Sequence, residues 1–427
     1  MLAALPAAVV ACVSKPASLH ELPDDHSCRT TVLVGPLAEL ARARADSARA
    51  LADSLRAETD TLGAAGPTAA DTLMAVRPTD SAPDGADYAD GPTAGPAIVA
   101  SDGRSDGDDP PLARALAVEW RLPQESVYVS QLNAWCAAVG PAVVGSWTDP
   151  VLQEDIPPLV DSLFIVAWNG HIGGGDARGL LEDLRSGALT GGQEVEHFVL
   201  LLQEVHREGE LVPEHDPALP GGGGTTPSPP GGERVDVVGL AEELGLWLAY
   251  APAMRNGPHE DRGNAILSTI PLTKPVAVAL PVSRQRRVTV AATVTARRSS
   301  GEPWSLQVAS VHLESQPEWW RSPEAERLEQ AEALVALLPE ANAAVAGGDF
   351  NTKTRGREEA LVGVMLRAYP DTPSFPTGPT YQKAYGIYRE YLDYLFFRLP
   401  DDARADYRRV DRIYGSDHYP ILGWIAW

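Results

Sequence analysis

The 427-residue chain is poor in cysteine, in positive charge and in long apolar runs, and each shortage narrows what it can be. Only three cysteines occur, Cys12, Cys28 and Cys136. None stands in a CxxC pair, which argues against a structural zinc site. No apolar run reaches the ~20 residues that a spanning helix needs, so no transmembrane helix is expected. Lys and Arg number 35 against 58 Asp and Glu, a formal net charge of -23. Such a surface repels phosphate backbones and anionic lipid, which argues against a generally basic nucleic-acid or membrane binder. A local cationic pocket, or one made cationic by a metal, stays open. Hydrophobic residues still make up 44%, enough for one large domain with an extension, or for two domains.

The chain opens on a short apolar segment, residues 1–17 (MLAALPAAVVACVSKPA), with small residues ending in VVAC. It resembles a bacterial lipoprotein signal with Cys12 as the acylated cysteine, although the basic leading region of such signals is missing. The expectation is an exported protein, in the bacterial cell envelope or secreted, with membrane attachment through Cys12. Cys28 and Cys136 would then be an even pair in an oxidising compartment, where a disulfide is open to them. Residues 18–112 read as a spacer and linker. Residues 37–62, rich in Ala, Leu and Arg and free of Gly and Pro, predict a helix. The stretch from about Gly63 to Pro111 is too rich in Gly, Pro, Ser, Thr and Asp to bury a core and reads as disordered. Residues 113–158 regain apolar and aromatic residues (Trp120, Tyr128, Trp135) and are expected to pack against the C-terminal region.

From Leu159 to the end, residues 159–427, strand-length apolar runs alternate with helical segments. The strands read LFIVAWN, HFVLLLQE, NAILST, VTVAATVTA, LQVASVHLE, AAVAGGDF, EYLDYLFFR and YPILGWIAW. In DARGLLEDLRSG, Asp176 is placed to cap a helix and Gly187 to end it. A second helix starts after Ser322 as cap, with Pro323 in its first turn. The segment PGGGGTTPSPPGGE from Pro220 reads as a surface insertion. Many strands with few helices predict an α+β layered sandwich.

Polar residues stand where these strands open into loops, the place for catalytic groups, because strand interiors are buried. They are Asn169, Glu204, His312, Asp349, Asn351, Asp393, Asp417 and His418. All are of types that bind hard metals or move protons. Each has a bland reading by itself: Asp349 or Asn351 as a turn residue, Asp393 as a buried structural acid, His312 as a core histidine, Glu204 as the partner of nearby Arg207.

Taken together, WNGHIGGGD, LLLQEVHR, RGNAILS, SVHLES, GGDFNT, YLDYLFF and GSDHYPI resemble the endonuclease/exonuclease/phosphatase superfamily, in its order, over about residues 160–427. That group includes DNase I-like nucleases, abasic-site endonucleases, neutral sphingomyelinases and inositol-polyphosphate phosphatases. The resemblance implies a four-layer α/β/β/α sandwich with an N-terminal extension, and a Mg²⁺-dependent hydrolase of phosphoric esters (Mn²⁺ as alternative). It places Asn169, Glu204 and Asp417 at the metal and His418 as general base. Asp349 would orient or activate the nucleophile. Asn351 and a protonated His312 would hold phosphoryl oxygens, and Asp393 is the further acidic strand-end residue. The glycines after Asn169 lack the spacing and lysine of a P-loop and read as a tight turn.

Substrate residues are less defined. Arg255, Asn256 and Lys353 are candidates for substrate phosphates, with Arg355, Arg357 and the cluster Arg284, Arg286 and Arg287 as further local charge. Asp261 is the choice for the carboxylate that keeps His312 charged, and Trp319–Trp320 is an aromatic pair that could reach a lipid interface or stack on a base, partial burial against the adjacent helix being the stronger reading. The substrate class is left among nucleic acid, phospholipid and small phosphate ester. A different class of reading, a surface lipoprotein using the same sandwich only to bind, is disfavoured because the set of candidate catalytic residues is intact.

Overall fold

The structure, a computed structural model, describes residues 17–18, 28, 30–43, 46–47, 49–50, 99–101, 116–123, 126–148, 157–214, 234–282, 285–315, 322–352, 359–375, 378–383 and 388–427. Residues 1–16 of the signal segment, Cys12 among them, the Gly/Pro insertion after Pro220, Arg284, Trp319–Trp320, Lys353, Arg355 and Arg357 lie outside the described residues, as does most of the linker.

Two mixed sheets face one another. In the seven-stranded sheet the neighbours are, in order, Ala17–Ser18, Glu119–Leu122, Leu272–Ala279, Val288–Arg297, Pro303–His312, Ala344–Asp349 and Asp393–Arg398. The nine-stranded sheet runs Arg404–Arg409, Ile421–Ala426, Ser162–Asn169, Phe198–Glu208, Glu260–Ser268, Trp247–Gly257, Ala142–Ser146, Thr31–Val34 and Val99–Ser101. Alternation along each strand sends one set of side chains between the sheets: Ile165, Ala167, Leu201 and Ile266 meet Val290, Leu306, Val345 and Leu395. Each fully buried aliphatic or aromatic side chain of this kind contributes about 1.5–3 kcal/mol. The opposite faces are covered by helices. Ala177–Arg185 and Val237–Leu244 lie on the nine-stranded sheet, Pro323–Leu337 and Ala360–Ala368 on the seven-stranded one. The expected four-layer order is present.

The helix ends match the sequence closely. Asp176 caps Ala177–Arg185 by accepting from Gly179 N–H, and Gly187 takes φ +82° just beyond its end. Ser322 stands at the cap position before Pro323, but its hydroxyl bonds the Glu324 carboxylate rather than a backbone amide.

The boundary expected at 159 is corrected by the sheets. Thr31–Val34 and Ala142–Ser146 pair in parallel inside the nine-stranded sheet, and Val99–Ser101, in the stretch read as disordered linker, forms its edge. Glu119–Leu122 joins the other sheet beside Leu272–Ala279. The segment before 159 is therefore part of the sandwich. Of the helix expected over 37–62, residues 36–43, 46–47 and 49–50 are helical and the rest is outside the described residues. Cys28 and Cys136, 108 residues apart, are joined in a disulfide that ties the extension to itself, with Cα atoms 5.2 Å apart.

Candidate active site

The site lies where strand ends of both sheets come level. In the seven-stranded sheet His312 pairs in register with Asp349, and Asp349 with Asp393. Three neighbouring strands thus present three ionisable side chains in one row. Gly348 precedes that row with φ +145°, and a Cβ there would meet Val311 O at 2.0 Å and Gln203 Nε2 at 2.9 Å. Only glycine lets the two sheets approach this closely.

The other sheet supplies Asn169, paired with Gln203, and Glu204. The Phe198–Glu208 strand slips register between Leu202 and Val205, and Glu204 takes φ +51° in that bulge. A bulge re-aims a side chain at the cost of local strain, and strained non-glycine backbone of this kind concentrates at functional sites. Asn351, at φ +53°, is a second such residue. The glycine turn holds the arrangement: Gly173 N–H donates to Glu204 O at 3.1 Å, and Gly170 N–H to Gln203 O at 2.9 Å. The amides of the glycine turn are thereby engaged by the chain itself, Gly174 N–H with His171 O and Gly175 N–H with Gly170 O as well.

The two sheets meet through side chains. Asn169 Nδ2 donates to Asp349 Oδ2 at 3.1 Å, while Asn169 Oδ1 accepts from His171 N–H at 3.0 Å. Ser416 Oγ donates to Asn169 O and accepts from His418 N–H, which fixes the SDH loop onto the Asn169 strand end. Trp168 Nε1 adds a bond to His418 O at 3.0 Å. His418 Nδ1 stands 2.9 Å from Asp393 Oδ2, and its Nε2 3.7 Å from Asp349 and 4.0 Å from Asp417. His312 Nε2 lies 3.5 Å from Asp349 and 4.0 Å from Glu204.

The two histidines have opposite surroundings. Burial pushes His312 well below the ordinary histidine range, and Arg287, His418 and Arg262 push it further. Arg287 Nη1 lies 2.9 Å from its Nε2 and 3.1 Å from its Nδ1. Burial also acts to lower His418, but Asp393 and Asp349, with the Asp393 hydrogen bond and Asp417, outweigh it and raise it to about 10. Burial lifts Asp349 to about 7, with Asp393 adding to the rise and His418, Asn351 and Asn169 opposing it. The directions are thereby opposite to those expected: burial and neighbouring cations favour the neutral ring of His312, and the surrounding carboxylates favour the imidazolium of His418.

Other expectations are corrected by the contacts. Asp261 does not orient His312. It is fully buried in an ion pair with Arg207 and accepts from Tyr250 OH at 2.7 Å and Gly140 N–H at 2.9 Å. Arg207 is accordingly not the partner of Glu204. Arg255 donates to Ala138 O, Pro213 O and Gly257 O, and the Asn256 amide donates to Glu260, so neither of these buried residues is disposed to take a substrate phosphate. Arg286 is buried over Trp120 and Trp135, whereas its neighbour Arg287 reaches the site. Asn351 N–H does close a turn onto Asp349 Oδ1, and its Nδ2 donates to Leu313 O, leaving one amide hydrogen uncommitted by that bond.

Sequence patterns alone did not single out Arg262, Tyr381 or the role of Arg287. Arg262 and Arg287 line a pocket with Glu204, Asn264 and His312. Tyr381 pairs with His418 through a single backbone bridge, its ring 4.9 Å from the imidazole. The place of Arg262 at the head of RGNAILS was the available signal; that of Tyr381 needs the tertiary fold.

The donor set fits a hard divalent ion. Glu204 and Asp417 are partly exposed carboxylates for which no hydrogen-bond donor is found among the described residues, and Asn169 Oδ1 keeps a second lone pair beside them. Oxygen donors with one or two carboxylates and room for water suit Mg²⁺.

Residues 131–418 match the model of the Endonuclease/Exonuclease/phosphatase family, and the chain belongs to that family. Among solved structures, the chain is similar to an endonuclease/exonuclease/phosphatase from Beutenbergia cavernae, at 19% identity and TM-score 0.42, covering 62% of this chain and 72% of that one. It is also similar to sphingomyelinase C from Streptomyces griseocarneus, at 17% identity and TM-score 0.34 over 62% and 99% of the two chains. A Neisseria 3' phosphatase bound to product DNA hairpin matches at 15% identity and TM-score 0.38 over 62% and 99%. Membership rests on the family match. No curated protein matches the chain.

Proposed function

We propose that the chain is a Mg²⁺-dependent phosphoesterase that directs a water in line at phosphorus. The observation carrying this reading is the level row His312, Asp349 and Asp393 facing Asn169, Glu204 and the Asp417–His418 loop across the sheet edges. Glu204, Asp417 and Asn169 would hold the ion, which when bound neutralises phosphoryl oxygens and acidifies water. Asp349, raised toward neutrality, is the base that takes the proton from the attacking water. Asp393 holds Nδ1 of His418 and keeps the ring charged, so that Nε2–H donates to a phosphoryl oxygen. His312, neutral beside Asp349 and Glu204, positions these carboxylates rather than supplying charge.

The export reading is supported by the Cys28–Cys136 disulfide, a bond that persists in oxidising compartments. Acylation at Cys12 is the corresponding proposal, checked by mass spectrometry of protein from native membranes. An unmodified Met1 in the soluble fraction would refute it.

The activity is tested by hydrolysis of plasmid DNA, RNA, sphingomyelin, phosphoinositides and a chromogenic phosphodiester with Mg²⁺ and with chelator. The expected result is metal-dependent turnover of at least one substrate, lost in Glu204→Gln while the melting curve stays in place. Undiminished turnover by that variant at saturating Mg²⁺ would contradict the assignment.

A further inference from the structure

We infer a second cation site, independent of the catalytic one, formed by His206, Glu208 and Glu260. One donor atom from each lies within 4.8 Å of the others. His206 and Glu208, two residues apart on one strand, share a face, and Glu260 stands directly opposite Glu208 on the antiparallel neighbour. The bulge between Leu202 and Val205 separates this face from that of Glu204 on the same strand, so the catalytic carboxylate is aimed elsewhere.

Two observations call for a ligand here. Like charges directly opposite on adjacent strands destabilise the pairing unless something neutralises them. Arg234 offsets part of this charge by ion-pairing with Glu260, and it and Asn256 both donate to the same Glu260 oxygen, at 2.9 and 3.1 Å. The second oxygen of Glu260 is left without a hydrogen-bond donor among the described residues, and the Glu208 carboxylate faces only the His206 ring among them. Independently, the His206 ring is buried, its side chain 2% exposed, and its Nδ1 has no hydrogen-bond partner among the described residues. Its Nε2 points to Glu208 at 3.5 Å. A buried ring nitrogen left without a partner is costly. Asp236, the other nearby acid, is already occupied, accepting from Glu208 N–H and Gly239 N–H.

One imidazole nitrogen with two carboxylates suits a borderline ion such as Zn²⁺ better than Mg²⁺, which prefers oxygen donors and retained water. An ion here would pin Phe198–Glu208 to Glu260–Ser268 just beyond the bulge that carries Glu204. Its role is structural.

The test is titration of Zn²⁺ alone into chelator-stripped full-length protein, with bound metal counted by equilibrium dialysis and the melting temperature recorded. Glu204→Gln serves as background, removing the principal catalytic ligand, and Glu208→Gln and Glu260→Gln are added singly. Glu208 is 64% exposed, so its variant is expected to fold, as circular dichroism will show. The expected result is that Glu204→Gln retains one Zn²⁺ that raises the melting temperature. Either added substitution should weaken that binding by more than about tenfold and abolish the rise. Unchanged Zn²⁺ stoichiometry and affinity in both double variants would overturn the site. Because the readout is binding and not turnover, it stands or falls separately from the phosphoesterase reading.

Discussion

The two sides of the cleft carry the same residue type and push its pKa in opposite directions. On one side His312 lies against Arg287, with Arg262 nearby, and burial among cations lowers its pKa well below the ordinary histidine range. On the other, His418 sits among Asp393, Asp349 and Asp417, which raise its pKa to about 10. Both rings are buried to a similar degree, 4% and 5% exposed. Desolvation therefore cannot separate them, and the neighbouring charges must. The lesson is that a histidine's place in a motif does not fix its protonation.

The contrast breaks most completely at the group between the two rings. Asp349→Asn removes the carboxylate that both histidines face, and turnover should fall by about three orders of magnitude, within the range for loss of a positioned base. A steady-state rate within tenfold of wild type would move the base elsewhere. Next in size is a control on the corrected residue. Asp261→Ala leaves Arg207 charged and buried, so it should cost about 3–5 kcal/mol of stability, read by denaturant unfolding, without altering the pH profile of the folded enzyme. A changed profile would restore Asp261 to the site.

Asp393→Asn sharpens the contrast from the acidic side. It removes the largest charge interaction that raises His418, so the alkaline limb of the rate profile should move to lower pH, with a loss of about a hundredfold in turnover. An unmoved alkaline limb would show that Asp393 does not set the ring's charge. The smallest effect is expected for Arg287→Gln. Taking away that cation should raise the His312 pKa and lower turnover by roughly tenfold. Histidine NMR chemical shifts will show whether the His312 titration moves upward.

Much of this was legible in the chain, and the failures have physical causes. The alternating runs ending in Asn169, His312 and Asp349 located the site because buried strands exclude polar residues until they open. Arg404–Arg409 was missed since it is a charged edge strand whose sequence, RADYRR, carries no apolar run. Leu272–Ala279 was obscured by Pro275, which falls at a register shift, where a strand tolerates the missing N–H. Val99–Ser101 is three residues in a Gly/Pro/Asp-rich stretch, too short for periodicity to show. Asp261 was assigned by its adjacency to a motif, but strand pairing turned it toward Arg207. The charges of the two histidines depended on contacts 25 or more residues distant, such as Arg287 with His312 and Asp393 with His418, which spacing does not reveal.

The most direct test is the pH dependence of turnover in Mg²⁺ for wild type, His418→Asn and His312→Asn. Wild type should show a bell, rising as Asp349 ionises and falling as His418 loses its proton, with a bound cation moving both limbs to lower pH. His418→Asn should lose the alkaline limb, and its acidic limb should shift to higher pH, because the cation that lowered Asp349 is gone. His312→Asn should be slower with both limbs kept. A His418→Asn variant that retains the alkaline limb, or that loses the acidic one, would contradict the account and return the base to His418.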